Sequence, residues 1–96
     1  MGGQMAFYLA TFCNIKGLCF NPAFGYRYTD LNLSLNKDFT SHILITLGTN
    51  DDDIPNSLSI NFVLENNISE KVSIEYLEIG HQINTDIFET QSKKIK

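Results

Sequence analysis

Apolar residues that alternate with polar ones are the feature that most limits what this chain can fold into. The alternation runs through residues 31–35, 58–64 and 72–76. Successive side chains of a β-strand point to opposite faces, so a period of two predicts strands with one buried face. Residues 43–47 are almost entirely apolar instead, which predicts a strand that is covered on both faces.

These runs predict a mainly β protein, in which five to seven strands form a small antiparallel β-sandwich or barrel with room for one short helix. An α+β fold is the alternative. A length of 96 residues predicts a single domain over 1–96. Residues 1–4 and 91–96 are expected to be flexible tails.

The segment between the two cysteines has the pattern of a short β-hairpin loop. Residues 15–17 end in glycine, as a three-residue hairpin loop requires, and such a loop would place Cys13 opposite Cys19. We expect the two thiols to be free in a reducing cytosol. The competing interpretation is a short helix over residues 5–13.

Two further local signals concern the ends of elements. Asn21 and the proline after it predict the end of an early strand, because proline cannot donate to a strand ladder. Residues 48–56 predict a loop between two strands. Near the carboxyl end, Asn84 or Thr85 is able to cap a short helix, although an edge strand fits the same residues.

The charge of the chain restricts its partners. The net charge is −4 with seven Lys and Arg residues, three of which lie in the last four positions. Without a basic stripe, direct binding to nucleic acid is not expected. No apolar run approaches the roughly 20 residues that span a bilayer, so we expect no membrane association and a cytoplasmic location, in the host cytoplasm if the protein is viral.

Three consecutive aspartates, Asp51, Asp52 and Asp53, form the densest charge cluster. Carboxylates suit a hard cation, but neighbouring side chains of an extended loop diverge, and the calcium-loop pattern of glycine and distant glutamate is missing. The cluster is therefore interpreted as a solvated hairpin tip without a metal. We expect it to meet a protein partner that carries basic residues.

An aromatic segment supplies the second set of candidate partner-binding residues. It contains Phe24, Tyr26, Arg27 and Tyr28 beside glycine and proline. Aromatic residues and Arg are enriched where binding energy concentrates, so the segment predicts an interface. The alternative is a strand that feeds these rings into the core.

No catalytic residue, metal ligand or cofactor is assigned from the sequence. The two histidines, His42 and His81, are far apart in the sequence. Their spacing from Cys13 and Cys19 is not that of a zinc finger. A Cys–His enzyme would need a proximity that no local pattern indicates. Phosphate-binding, dinucleotide-binding and G-x-S-x-G patterns do not occur in the sequence.

The favoured function is a non-enzymatic protein-binding module, most concretely a small acidic inhibitor of another macromolecule, of the immunity or anti-defence type. Small size, acidity and aromatic content support it. One alternative is a structural or assembly subunit, for example viral or phage, that forms homo-oligomers through its sheet edges. A second alternative is a small metal-binding domain or enzyme.

Overall fold

Three helices and one three-stranded sheet make up the residues that the computed structural model describes, 2–24 and 35–95. In chain order the elements are α1 (Gly2–Cys13), β1 (Gly17–Phe20), β2 (Ile43–Gly48), α2 (Ser57–Glu65), β3 (Val72–Leu77) and α3 (Thr85–Lys93). The strands lie in the order β1-β2-β3, and both pairs are parallel. The predicted antiparallel sandwich or barrel of five to seven strands is therefore wrong.

The central strand, β2, explains why the sheet is parallel. All six of its residues are buried, so the prediction of a strand covered on both faces is confirmed. On one face Ile45 joins a core cluster with Phe7 of α1 and Val63 of α2. On the other face the hydroxyl of Thr46 accepts a hydrogen bond from Gln91 of α3 at 2.7 Å. Helices on both faces leave no room for the antiparallel arrangement in which one face meets water.

Residues 58–64 form most of α2, so the strand predicted there is wrong. Alternating apolar residues also recur at a spacing of four, which is the spacing of one helix face. The helix buries Ser59 and Val63, which are four residues apart and lie between the alternating apolar residues, so the alternation does not mark the buried face. The reason lies in the topology: parallel strands β2 and β3 need a crossover connection, and a helix is the usual one.

The remaining alternating runs have different outcomes. The run 72–76 is a strand as predicted, but it pairs parallel with β2. In the run 31–35, residues 31–34 lie outside the described residues, and Leu35 belongs to no helix or strand. The predicted loop 48–56 joins a strand to a helix instead of two strands.

The prediction of a hairpin that places Cys13 opposite Cys19 is also wrong. The alternative prediction, a helix over residues 5–13, is confirmed, because these residues lie in α1. The left-handed residue after it is Asn14, with φ 52°, and the N–H of Ile15 donates to the carbonyl oxygen of Ala10 at 3.0 Å. Cys13 is exposed at the end of α1, whereas Cys19 is buried in β1. Since β1 pairs with β2, the two cysteines do not face each other across strands, and both are free.

The carboxyl-terminal helix confirms the capping alternative. The side chain of Asn84 accepts a hydrogen bond from the N–H of Ile87 at 2.9 Å. Such a cap satisfies one of the free N–H groups at the start of a helix. Asn21 and proline likewise follow the end of β1, as predicted.

Candidate functional site

The carboxyl ends of the three parallel strands meet at one edge of the sheet, which we call the carboxyl edge; the opposite edge is the amino edge. In parallel α/β sheets, ligands bind at the carboxyl edge. Asn21 follows β1, Asp51 follows β2, and His81 follows β3. The candidate site is built from the loops that carry these three residues.

Gly48, the last residue of β2, allows the loop after β3 to lie against the loop after β2. A Cβ atom on Gly48 would come within 2.8 Å of the carbonyl oxygen of Gly80 and would also overlap that of Ile79. The two loops are joined further by the N–H of Asn50, which donates to Ile79 at 3.1 Å. A side chain at Gly48 would therefore push the two loops apart.

Asn21 holds Gly48 in place from the end of β1. Its side-chain Oδ1 accepts a hydrogen bond from the N–H of Gly48 at 2.7 Å, and its own N–H donates to the carbonyl oxygen of Thr46 at 3.0 Å. The φ angle of Asn21 is 44°, in the left-handed region that Asn tolerates better than most residues. Asn21 is thus a positioning residue that ties together the ends of β1 and β2.

Asp51 is fixed by its own loop before it contacts His81. One carboxylate oxygen, Oδ1, accepts hydrogen bonds from the N–H groups of Asp53 at 2.8 Å and Ile54 at 3.1 Å. The N–H of Asp51 donates to the carbonyl oxygen of Gly48 at 3.2 Å. This Asx-type turn leaves the second oxygen, Oδ2, to bind another group.

The central contact of the site joins Asp51 Oδ2 to His81 Nδ1 at 3.0 Å. The Asp51 side chain is fully covered, while that of His81 is 43% exposed. Burial raises the pKa of Asp51, but hydrogen bonds from His81 and from the N–H groups of Asp53 and Ile54, with the charge of His81, outweigh it. The pKa of Asp51 is therefore lowered, and the carboxylate is ionised at neutral pH.

The charge of Asp51 settles which nitrogen of His81 carries the hydrogen. An ionised carboxylate only accepts hydrogen bonds, so Nδ1 is the donor. In the neutral imidazole, Nε2 is then the nitrogen with a free lone pair. This is the arrangement in which an aspartate orients a histidine as a general base and stabilises the imidazolium that forms when Nε2 takes a proton.

Asp53 completes a group of three residues that are able to hold a metal ion. One ligand atom each of Asp51, Asp53 and His81 lies within 4.8 Å of the others. However, both oxygens of Asp51 already accept hydrogen bonds, and one of those bonds occupies Nδ1 of His81. Nδ1 of His81 cannot bind a cation while it carries the hydrogen that it donates to Asp51, so the geometry favours an acid–base pair over a metal centre.

The cysteines lie apart from the carboxyl edge. Cys19 is in the interior of β1, where burial raises the pKa of its thiol to about 12. At that pKa the sulfur stays protonated and is a poor nucleophile. Cys13 lies at the other end of α1, near the amino edge, because Ala10 packs beside Gly17 at the start of β1.

The structure describes four of the seven predicted partner-binding residues, and they differ in exposure. Phe24 is buried, and its ring stacks on that of Phe62 with the centroids 3.9 Å apart. Asp52 and Asp53 are exposed. Three further residues lie outside the described residues: Tyr26, Arg27 and Tyr28. A role of this set in partner binding stays a prediction.

The pairing of Asp51 with His81 was missed in the sequence because the residues are 30 positions apart. The available signal was the almost entirely apolar segment 43–47, which is typical of a parallel strand. Two consecutive parallel strands would have placed the polar residues after each of them at one edge.

The fold and the site therefore define a parallel α/β protein with an aspartate–histidine pair at the carboxyl edge of its sheet. No protein-family model matches the chain, and comparisons with curated proteins and with solved structures find no significant match. None of the helices in the described part of the chain has the length and apolar composition that crossing a membrane requires.

Proposed function

We propose that His81 is a general base, oriented by Asp51, of a hydrolytic site in which water is the nucleophile. The 3.0 Å hydrogen bond between Oδ2 and Nδ1 carries the proposal. The placement of the two residues supports it, because they follow adjacent parallel strands at the carboxyl edge.

The proposed reaction is hydrolysis of a carboxylic ester or a related acyl compound. As a water oxygen attacks the carbonyl carbon, Nε2 of His81 takes a proton from that water, and Asp51 stabilises the imidazolium. The carbon–oxygen bond to the alcohol then breaks, and His81 gives its proton to the departing alcohol. A carboxylic acid remains, and Nε2 is again free to take a proton.

The test uses the purified 96-residue protein with p-nitrophenyl butyrate, which it should hydrolyse. His81→Ala should abolish hydrolysis, whereas His42→Ala, at an exposed histidine of the amino edge, should leave it intact. The absence of hydrolysis by the folded protein would overturn the proposal.

A non-enzymatic protein-binding module, such as an inhibitor of another macromolecule, is the second proposal. The exposure of Asp52 and Asp53 supports it, because exposed charges steer association with a basic partner. Replacing both by Asn should lower the association rate at low salt while hydrolysis stays unchanged. An unchanged association rate with the captured partner would exclude these two residues from recognition.

A further inference from the structure

A cavity of about 200 Å³ lies between β3 and α3, on the side of the sheet that faces α3. The spacing of its helical residues is that of one helix face, which meets the sheet. Asp51 and His81 do not line the cavity, so it is separate from the Asp51–His81 pair. Its lining consists of the last residue of β3 and of residues of α3 and its C-cap: Leu77, Asp86, Ile87, Thr90, Gln91 and Lys94.

Gln91 is completely buried, and one end of its side-chain amide has no partner. Its Nε2 donates to Oγ1 of Thr46 at 2.7 Å and to Oε2 of Glu75 at 3.3 Å. A carboxylate only accepts hydrogen bonds, so the amide end that faces Glu75 is the NH₂ group. Oε1 of Gln91 is then a buried acceptor without a donor in the described part of the chain. Because such an atom costs free energy, it indicates that another molecule supplies the missing donor.

The charged and polar side chains of the lining offer more free acceptors than free donors. Asp86 contributes an exposed carboxylate, which forms no ion pair within residues 2–24 and 35–95. Thr90 contributes an exposed hydroxyl. The cation of the lining, Lys94, is already paired with the carboxylate of Glu75. The cavity therefore favours a ligand that donates hydrogen bonds and carries a positive charge, and it disfavours an anion.

The apolar part of the lining and the size of the cavity restrict the rest of the ligand. Leu77 and Ile87 supply apolar surface, and pockets for small molecules combine such surface with a few polar groups that orient the ligand. A volume of about 200 Å³ is below the roughly 300–1,000 Å³ of pockets for drug-sized molecules. The cavity therefore suits a small molecule with about one ring.

We propose that this cavity binds a small primary amine with an apolar body, of the arylalkylamine class. A protonated amine has three N–H donors and no acceptor. These donors match the carboxylate of Asp86, the hydroxyl of Thr90 and Oε1 of Gln91. The apolar body packs between Leu77 and Ile87. The inference goes beyond the proposed hydrolysis and does not depend on it, because it uses neither residue of the Asp51–His81 pair.

The first measurement is a titration of the 96-residue protein with phenethylamine, followed by its amide NMR signals. The signals of Leu77, Ile87 and Thr90 should shift saturably, with a dissociation constant of about 1 mM or lower. Phenethyl alcohol and phenylacetate carry the same ring without an ammonium group, and both should bind at least about tenfold more weakly. Phenylacetate that binds as tightly as the amine would overturn the proposal, and so would the absence of saturable shifts at these residues.

Two matched pairs of variants test the contacts of the ammonium group. Asp86→Asn should weaken the binding of phenethylamine by about tenfold or more, because a hydrogen bond to a charged group is lost. Asp52→Asn, at an exposed aspartate outside the lining, should not change it. Thr90→Val should weaken binding by about threefold to tenfold, whereas Thr85→Val, on the same helix but outside the lining, should have no effect. Equal losses in Asp86→Asn and Asp52→Asn would show that the amine responds to net charge alone, and the proposal would be wrong.

His81→Ala distinguishes this inference from the proposed hydrolysis. The variant should lose hydrolysis and keep the wild-type affinity for phenethylamine, because His81 does not line the cavity. A wild-type protein that binds the amine but hydrolyses no ester would refute the proposed function and leave this inference standing. If phenethylamine instead shifts the signals of Asp51 and His81, and His81→Ala removes binding, the amine binds at the carboxyl edge and the cavity is not its site.

Discussion

The two histidines of the described chain lie at opposite edges of one sheet, and their partners differ. At the amino edge, His42 precedes β2, and its Nε2 lies 2.7 Å from Oγ of Ser73. At the carboxyl edge, His81 follows β3, and its Nδ1 lies 3.0 Å from the Asp51 carboxylate. Both histidines are exposed.

The difference between the partners decides what each imidazole is able to do. A hydroxyl both donates and accepts, so Ser73 neither fixes the tautomer of His42 nor balances a positive charge. The carboxylate of Asp51 does both for His81. Solvent exposure and a hydrogen bond are therefore not enough to make a histidine a general base. The partner must also be negatively charged and must bind Nδ1, so that Nε2 is free to take a proton.

The largest expected effect is on the proposed hydrolysis. His81→Ala should lower kcat for p-nitrophenyl butyrate by about 10²–10⁴-fold, which is the usual contribution of a positioned general base. His42→Ala should leave kcat unchanged, because the amino edge takes no part in the reaction. Equal losses in the two variants would show that the two edges do not differ in the proposed way.

Asp51→Asn should lower kcat by about 10²-fold with little change in KM, because Asp51 acts through the general base His81. The amide still accepts hydrogen bonds from the loop, so the fold should persist, but it has no charge to stabilise the imidazolium. Asp52→Asn, one residue further along the loop and exposed, is the matched control and should behave like the wild type. A loss in KM alone would indicate a role in substrate binding instead of proton transfer.

Some parts of the fold are predictable from the sequence and others are not. Strands β2 and β3 were predictable because 43–47 and 72–76 have strong apolar patterns, and the cap at Asn84 is a local signal. Residues 58–64 were misassigned because alternation also satisfies a spacing of four. These residues form a helix because the parallel strands β2 and β3 need a crossover connection, and this requirement depends on the whole sheet.

The site was less predictable than the fold. Asp51 stood out as part of a charge cluster, and His81 stood out only as one of two histidines. Their contact depends on Gly48, whose missing side chain admits the loop after β3. Glycine occurs at the ends of strands for many reasons, so the sequence does not predict this role of Gly48. The close approach of the Gly80 backbone to Gly48 shows it.

Two glycines, one at each edge, allow the origin of the Asp51–His81 contact to be tested. Gly48→Ala at the carboxyl edge should lower the free energy of unfolding by about 1–3 kcal/mol, since the added methyl group overlaps backbone. Gly17→Ala at the amino edge should also destabilise, because its Cβ would lie 2.8 Å from that of Ala10. Urea denaturation measures both changes.

The two glycine variants should differ in the NMR signal of the hydrogen on His81 Nδ1. Gly48→Ala separates the loops and should remove or shift this signal, whereas Gly17→Ala should preserve it. A Gly48→Ala protein with the wild-type signal would show that the loops meet without the help of Gly48.

The smallest expected effect is on the pH dependence of stability. The pKa of Asp51 is lower in the folded protein than its ordinary value of about 3.9. Such a group stabilises the fold above the ordinary pKa, and this contribution is lost as the pH falls through the lowered pKa. The free energy of unfolding, measured by urea denaturation between neutral pH and about pH 3, should therefore fall less steeply in Asp51→Asn than in the wild type.

Glu75 provides the control for this measurement, because the hydrogen bond from Lys94 lowers its pKa on the α3 face of the sheet. Glu75→Gln should also flatten the acid dependence, but without changing the His81 signal, and the two changes should add because the sites are distinct. If Asp51→Asn keeps the full acid dependence of the wild type, the folded protein does not hold an ionised carboxylate against Nδ1. His81 would then be no better oriented as a base than His42, and the two edges of the sheet would be chemically equivalent.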